Sequence, residues 1–296
     1  MLTRNRLAVG DNMNNDKKNG FADLHVHTNY SDGVLSPEEV VAKALEMDLR
    51  AVAITDHDCI DGVPLAVEAA EGTSLEIVPG VEISAAKEET EIHILGYFID
   101  WKNADFTKEL RKIQEGRVRR MEEMLALLQR EGIDISMDSV LDLPARVAVG
   151  RLHLARVLVK KKFARDIKEA FDKYIGYGKP CHVAYERLDY KKAIEMITAA
   201  GGVPVLAHPG TIAKDEYIPS YVEAGIRGLE VYYTKHLQPV SERYLALAEK
   251  YNLLATGGSD CHGMGAYGVI IGQVKVDYGT VEALREEAEK IRSGRK

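Results

Sequence analysis

Residues 21–39, FADLHVHTNYSDGVLSPEE, contain a predicted strand, a turn and the start of a helix. The segment 21–27 is short, apolar and alternating, which is typical of a strand. A Ser-Asp-Gly turn follows it. Ser36 then offers a helix cap, Pro37 suits the first helical position, and Glu39 stands where a capping box places its carboxylate. This stretch therefore predicts a strand–turn–helix unit.

The alternation of strand and helix recurs in both end regions of the chain. Apolar segments predict further strands at 51–54, 76–78, 91–98, 203–207, 228–232 and 253–256. Helical patterns lie between them at about 61–70, 216–224 and 238–250. Strands that alternate with helices predict a parallel sheet, and this many units favours a closed α/β barrel.

The segment 101–196 breaks this rhythm with long basic helical runs. It holds 21 Lys and Arg against 15 Asp and Glu, a net charge of +6, whereas the rest of the chain carries −13. We therefore predict a discontinuous barrel over 21–100 and 197–296, with a helical insertion domain at 101–196. The basic insertion either attracts a phosphorylated substrate or is simply a solvated helical surface.

The remaining composition bears on the cellular setting. Residues 1–20 lack the apolar core of a signal peptide and predict a disordered tail. Three cysteines without a CxxC pair favour a reducing compartment, so we expect a cytoplasmic protein. No apolar tract is long enough to cross a bilayer, and neither a membrane nor an obligate protein partner is expected.

Histidines and acids gather at the ends of the predicted strands. The candidates are His25, His27, Asp32, His57, Glu82, His93, His208, Asp260 and His262. Each taken alone is as easily a structural residue. In a parallel barrel, however, the C-terminal strand ends meet at one mouth, so nine candidate metal ligands are expected to converge.

The ligand types indicate the ions and the chemistry. Imidazole with carboxylate suits Mn²⁺, Fe²⁺ or Zn²⁺ better than Ca²⁺. Nine ligands are too many for one ion, which predicts a multinuclear site. Such a site polarises a phosphoryl group, supplies hydroxide near neutral pH and stabilises a leaving oxygen, and phosphate-ester hydrolysis uses all three effects.

The segments DLHVHTNYSD, ITDHD, VPGVEIS, IHILGY, LAHPG and GGSDCHG resemble, in order, the motifs of the polymerase and histidinol phosphatase (PHP) family. The resemblance spans most of residues 21–265 and implies a distorted (β/α)7 barrel with three divalent ions, Mn²⁺ first and Fe²⁺ or Zn²⁺ as alternatives. It implies three ligand sets: His25, His27, Glu82 and Asp260; Glu82, His93 and His208; and Asp32, His57 and His262.

The insertion resembles that of PHP members that hydrolyse nucleotide 3′-phosphates, notably of nucleoside 3′,5′-bisphosphates, and of relatives that trim RNA from its 5′ end. GRLHLAR at 150–156 and GYGKP at 176–180 carry this likeness. The resemblance implies that Arg151 and Lys179 bind a substrate phosphate, a role that suits guanidinium chemistry. Surface cations without a ligand are the alternative.

Other polar residues near the motifs receive separate hypotheses. His236 follows a predicted strand outside the ligand set and is a candidate general acid and substrate contact. Asp58, next to a predicted ligand, is a candidate catalytic residue or one that orients that ligand, and a turn or capping acid is the alternative. The chain departs from the family at Tyr233, where a histidine is common. His153 and His182 are expected to be structural.

The leading hypothesis is a metal-dependent phosphoesterase that removes the 3′-phosphate of nucleoside 3′,5′-bisphosphates or related small nucleotides by attack of a metal-bridging hydroxide. One alternative is a 5′-3′ exoribonuclease on short 5′-phosphorylated RNA. Histidinol-phosphate phosphatase is another. A catalytically silent metal-binding module is the alternative from a different class.

Overall fold

One curved sheet forms the centre of the molecule, which the computed structural model describes over residues 20–141, 148–184, 187–263 and 268–294. The tail predicted for 1–20 falls, apart from Gly20, outside the described residues. Within the described ranges, no helix is long and apolar enough to cross a membrane.

The strands of this sheet are β1 (Phe21–Val26), β2 (Leu49–Ile54), β3 (Glu76–Lys87), β4 (Thr90–Tyr97), β5 (Leu188–Asp189), β6 (Val203–Leu206), β7 (Gly228–Tyr233), β8 (Leu254–Gly258) and β9 (Val276–Asp277). Their order is β8-β7-β6-β4-β3-β2-β1-β9, with β5 paired to β3. Beyond β8, the amide of Asp260 donates to the carbonyl of His25 at 2.8 Å, and the amide of His27 donates to the carbonyl of Cys261 at 3.1 Å. These bonds bring the last main strand onto the first, so the predicted barrel is confirmed as a nearly closed sheet.

The direction of β4 differs from the parallel arrangement that the sequence predicts. It pairs antiparallel with both β3 and β6. Only Glu88 and Glu89 separate β3 from β4, and Glu88 adopts a positive φ of 55°. A connection this short permits a hairpin but no crossover helix. A consequence is that His93 lies within β4, paired across the hairpin with Ser84.

The helices are α1 (Pro37–Glu46), α2 (Gly62–Ala70), α3 (Ala104–Arg130), α4 (Met137–Leu141), α5 (Arg151–Lys160), α6 (Ile167–Ala170), α7 (Tyr190–Ala199), α8 (Ile218–Glu223), α9 (Gln238–Lys250) and α10 (Tyr278–Ser293). A π-helical turn, Phe171–Ile175, continues α6. The predicted capping box of α1 is present: the Glu39 amide donates to Ser36 Oγ at 3.3 Å, and the Ser36 amide donates to Glu39 Oε2 at 2.7 Å.

The insertion has its own apolar core, separate from that of the barrel. Helix α3 joins the two, because Phe106 is buried with the barrel residues whereas Leu128 is buried with residues of α5 and α6. The segment just before the predicted boundary at 196 packs with the barrel. Strand β5 pairs with β3, and α7 packs on β3, β4 and β6, so we place the return to the barrel at Leu188. The basic, amphipathic sequence of α7 resembles the insertion helices, and only its strand partner reveals where it belongs.

Candidate metal centre

The nine predicted ligands meet at one end of the barrel, and Glu82 of β3 lies at their centre. The Glu82 side chain is buried, and its two oxygens contact the side chains of residues from four other strands or strand ends. These oxygens lie 2.8–3.2 Å from ring nitrogens of five imidazoles, those of His25, His27, His57, His93 and His208.

Two aspartates complete the cluster. Asp260 Oδ1 lies 3.1 Å from His27 Nε2, and Asp32 Oδ1 lies 3.1 Å from His262 Nε2. Ligand atoms within 4.8 Å of one another then form three groups: His25, His27, Glu82 and Asp260; His27, Asp32, His57 and His262; and His57, Glu82 and His93. The first group matches the first set that the PHP resemblance implies. His208 lies outside these groups but contacts Glu82 Oε1 at 3.0 Å.

Several of these ligand atoms are buried close to one another but are not joined by hydrogen bonds. Asp32 Oδ1, His57 Nδ1, Glu82 Oε2 and His93 Nδ1 are buried and make no hydrogen bond, although each lies 2.8–3.2 Å from an opposite group. Polar atoms in a protein interior normally have hydrogen-bond partners. Short distances without hydrogen-bond geometry are what ligands around a shared cation show. The residues present therefore fit divalent ions held by imidazole and carboxylate.

The electrostatics of the cluster favour a bound cation. Burial disfavours the charged imidazole of His27, but the neighbouring carboxylates of Asp260 and Glu82 outweigh burial and raise its pKa to about 10. Burial likewise opposes charge on Glu82, yet the surrounding imidazoles hold its pKa well below the ordinary value. The carboxylates therefore stay ionised. Divalent ions would replace imidazole protons, so their binding should release protons.

Glu230 of β7, which the sequence analysis missed, fixes two of the ligands. It is fully buried; Oε1 accepts from His25 Nδ1 at 2.9 Å, and Oε2 accepts from the backbone amide of His208 at 2.7 Å. Because Nδ1 of His25 faces Glu230, Nε2 faces Glu82 and Asp260 and is the nitrogen that would bind an ion. The sequence does contain a sign of this role, because Glu230 is a charged residue inside the otherwise apolar strand segment GLEVYY.

Two ligands beyond β8 are oriented in the same manner. The hydroxyl of Tyr233 donates to Asp260 Oδ2 at 2.9 Å, which turns Oδ1 toward the histidines. Nδ1 of His262 donates to the Asp260 carbonyl at 2.9 Å, so Nε2 faces Asp32. The residue that departs from the family pattern thus positions a candidate ligand.

Asp23, the first residue of the DLHVH motif, was also missed. Its buried carboxylate accepts from the backbone amides of Ser259 at 2.9 Å, Gly272 at 2.8 Å and His25 at 3.3 Å. Burial raises its pKa to about 6 against the lowering effect of these bonds. Asp23 therefore ties β1 to the segment after β8 that carries two ligands.

The contacts of Asp58 favour an attachment of the insertion over the predicted catalytic role. Oδ2 accepts from Arg117 of α3 at 2.7 Å through Nε and also through Nη2, and Oδ1 accepts from the Ser84 amide at 2.9 Å. Gln114 of α3 donates to the Asp58 carbonyl at 2.8 Å. Both carboxylate oxygens are occupied, so Asp58 attaches the insertion to the barrel, and we do not retain it as catalytic.

The contacts of His236 favour a structural role over the predicted one. It is 3% exposed, Nδ1 donates to the Val231 carbonyl at 2.9 Å, and Nε2 accepts from the Gly210 amide at 3.1 Å. With both nitrogens bonded to backbone, and with burial lowering its pKa, the ring is held neutral. His236 supports the turn after His208, and we retain it neither as a general acid nor as a substrate contact.

A pair of arginines borders the cluster on the insertion side. Glu91 Oε2 accepts hydrogen bonds from Arg187 Nη2 at 2.5 Å and from Arg151 Nη2 at 3.5 Å. The other oxygen, Oε1, lies 3.8 Å from His93 Nε2. Arg151 and the candidate ligand His93 therefore contact the same carboxylate, that of Glu91. Arg187 was not singled out from the sequence, because nothing local marks it.

The other predicted residues of the insertion differ from Arg151. Lys179 is exposed, and no hydrogen bond or ion pair of its ammonium to the cluster is found among the described residues. His153 is buried: Nδ1 accepts from the Gly150 amide at 3.0 Å, and Nε2 donates to the Ser31 carbonyl at 2.8 Å. It has the structural role expected of it.

Comparisons with known proteins agree with this geometry. The PHP domain family model matches residues 23–214. The 3′,5′-nucleoside bisphosphate phosphatase of Chromobacterium violaceum is 33% identical over 261 residues, covering 86% of this chain and 91% of that protein. The 5′-3′ exoribonuclease Rnm of Escherichia coli is 35% identical over 247 residues, covering 81% and 84%. A Bifidobacterium adolescentis structure whose name places it among metal-dependent phosphoesterases superposes with a TM-score of 0.83 at 30% identity, covering 89% and 94%.

Proposed function

This chain belongs to the PHP domain family, and we propose that it is a metal-dependent phosphoesterase that removes the 3′-phosphate of nucleoside 3′,5′-bisphosphates or related small nucleotides. The proposal depends on one observation: the Glu91 carboxylate contacts His93 of the nine-residue cluster and also the guanidinium groups of Arg151 and Arg187. The similarity to the bisphosphate phosphatase, over most of both chains, supports the same substrate class.

The nine residues would hold up to three divalent ions, with Mn²⁺ as the first candidate. The three groups of ligand atoms support this number, and Glu82 belongs to two of them. Ions held there would supply a Lewis acid, an activated water and charge stabilisation on the leaving oxygen. The chain itself keeps the ligands in place: Glu230 holds the His25 ring with Nε2 inward, and Tyr233 orients Asp260.

Arg151 and Arg187 would bind a phosphate of the substrate. Both guanidinium groups now share the Glu91 carboxylate, and a phosphate offers the same anionic oxygens with more charge. Charge-assisted bonds of this kind contribute roughly 1.5–3 kcal/mol each. Arg151→Met should therefore raise KM for the nucleotide by roughly 10- to 100-fold. Lys179 stays a weaker candidate for the same phosphate.

A second candidate function is 5′-3′ exoribonuclease activity on short 5′-phosphorylated RNA. The observation that favours it is the comparable identity to Rnm over a comparable share of both chains. The same residues would serve, because a phosphodiester presents the same anionic oxygens to the two arginines.

The experiment is phosphate release by the Mn²⁺-loaded protein from a panel of phosphate esters. The panel contains adenosine 3′,5′-bisphosphate, 3′-AMP, 5′-AMP, histidinol phosphate and a 5′-phosphorylated pentaribonucleotide. We expect turnover of the bisphosphate to exceed that of histidinol phosphate. Release of mononucleotides from the 5′ end of the RNA, faster than bisphosphate hydrolysis, would favour the exoribonuclease.

Matched variants make the result specific to the site. His27→Ala and Asp260→Asn should lose metal and activity, whereas Glu223→Gln, an exposed acid on α8, should change neither. Metal content is measured on the same samples. Full metal content without turnover of any ester on the panel would refute the enzymatic proposal and favour a silent metal-binding module.

A further inference from the structure

An exposed aromatic residue stands on the insertion loop that follows the π-helical turn. Tyr177 is 87% exposed, more than any other large apolar or aromatic side chain among the described residues. A single exposed apolar side chain is ordinary on a protein surface. What distinguishes Tyr177 is the set of contacts made by the loop around it.

The loop lies near Arg151 at its start and is hydrogen-bonded to a further arginine of α3, Arg120, at its end. At its start, the Gly176 amide donates to the Phe171 carbonyl at 2.9 Å, and the Arg151 guanidinium lies 5.7 Å from the Phe171 ring centroid. At its end, Arg120 Nε donates to the Val183 carbonyl at 3.0 Å. The loop therefore borders the same side of the insertion as the guanidinium groups next to the cluster.

A second ring lies beside Tyr177 on this loop. The His182 imidazole is 5.4 Å from the Tyr177 ring, centroid to centroid, with the planes tilted by 59°. Burial and the charges of Arg120 and Arg151 lower the pKa of His182, so its ring is neutral at physiological pH. Two uncharged rings thus form a surface bordered by positive charge.

We propose that Tyr177, with His182 beside it, is the nucleobase subsite: the base stacks on the Tyr177 ring while a phosphate of the same nucleotide contacts Arg151 and Arg187. The inference rests on the proposed function, since it names the part of that substrate which the metal cluster does not bind. Aromatic side chains stack on any base, so this subsite favours nucleotides over other phosphate esters without selecting one base. It also gives His182 a function in place of the structural role expected from the sequence.

The test compares a nucleotide with its abasic analogue. Hydrolysis of adenosine 3′,5′-bisphosphate and of 1-deoxyribose 3,5-bisphosphate is measured with wild type, Tyr177→Ala and Tyr177→Phe. Tyr177→Ala should raise KM for the nucleotide by on the order of tenfold, leaving kcat and the KM of the abasic substrate unchanged. Tyr177→Phe, which retains a ring, should behave as wild type. Leu45→Ala, an exposed apolar side chain of α1, is the matched control and should change neither substrate.

Two results would overturn the inference alone. One is an unchanged nucleotide KM in Tyr177→Ala, and the other is an equal rise for both substrates, which would mean that the loop shapes the phosphate site instead of binding the base. Failure of the metal-loaded wild type to hydrolyse either substrate would overturn the proposed function, and this inference with it. Because Tyr177 is exposed, loss of fold does not confound the comparison; equal thermal midpoints of all variants verify this.

Discussion

Replacing Glu230 by Gln tests whether this buried carboxylate prepares the metal centre. Glu230 accepts two hydrogen bonds, from His25 Nδ1 at 2.9 Å and from the His208 amide at 2.7 Å. Glutamine has the same shape but one acceptor oxygen and one NH₂ group. It can satisfy only one of the two donors, and the other donor then faces an NH₂ group.

The two orientations of the glutamine have different costs. If the oxygen faces His25, the buried His208 amide loses its partner, which costs about 1–3 kcal/mol. If the NH₂ group faces His25, the imidazole changes tautomer, and its Nε2 then carries a proton where an ion would bind. In either case the metal centre is weakened. Removing such a supporting contact lowers metal affinity by roughly 10- to 100-fold, or about 1.4–2.8 kcal/mol.

The assay is Mn²⁺ titration of metal-free protein against a competing chelator, with wild type and Glu230→Gln compared at the same pH. Glu76→Gln is the matched control, because Glu76 accepts bonds from Tyr278 and Arg285 at the start of β3, away from the cluster. It should leave metal affinity unchanged. A folded Glu230→Gln protein that binds Mn²⁺ as tightly as wild type would refute the reasoning.

Three other predictions concern stability and pH. In Gly258→Ala the new Cβ would lie 2.4 Å from a backbone nitrogen of β1, so we expect the free energy of unfolding in urea to fall by about 1–3 kcal/mol. Gly279→Ala, which has open space around the new Cβ, is the control and should leave this free energy unchanged. Equal stabilities of the two variants would contradict the prediction. Burial lowers the pKa of His153 below 6.5, so the unfolded chain binds this proton first as pH falls and stability is lost on acidification. The urea midpoint of wild type should therefore fall toward that of His153→Asn as the pH is lowered from about 7.5 to about 5.5. A difference between the two midpoints that does not change with pH would show that this ring does not titrate as argued. Asp58→Asn removes the carboxylate that faces Arg117, whose side chain is 13% exposed, and should lower the free energy of unfolding by about 3–5 kcal/mol. The kcat of the metal-loaded variant should equal that of wild type. A large fall in kcat at unchanged stability would instead support a catalytic role of Asp58.

The part of the structure that the sequence predicted well depends on local patterns. Apolar segments gave the main strands, and the capping box of α1 followed from Ser36 and Glu39. Metal-ligand candidates were recognisable because histidines and acids stand at the strand ends. The convergence of these side chains at one end of the barrel then followed from the fold.

What the sequence did not predict depends on partners far along the chain. Glu230 and His25 are 205 residues apart, and Asp58 and Arg117 are 59 apart. A histidine next to a strand end, such as His236, reads as a site residue until its two backbone partners are known. The antiparallel direction of β4 was set by the two-residue turn before it, which the alternation of strands and helices does not reveal.

The central claim is that the nine-residue cluster holds divalent ions beside a phosphate site made by the insertion. Anomalous diffraction at the manganese edge, from crystals grown with Mn²⁺ and inorganic phosphate, tests it most directly. We expect Mn²⁺ peaks within the groups that share Glu82, and a phosphate bordered by Arg151 and Arg187. Manganese bound elsewhere on the protein, with these groups holding none, would contradict the account.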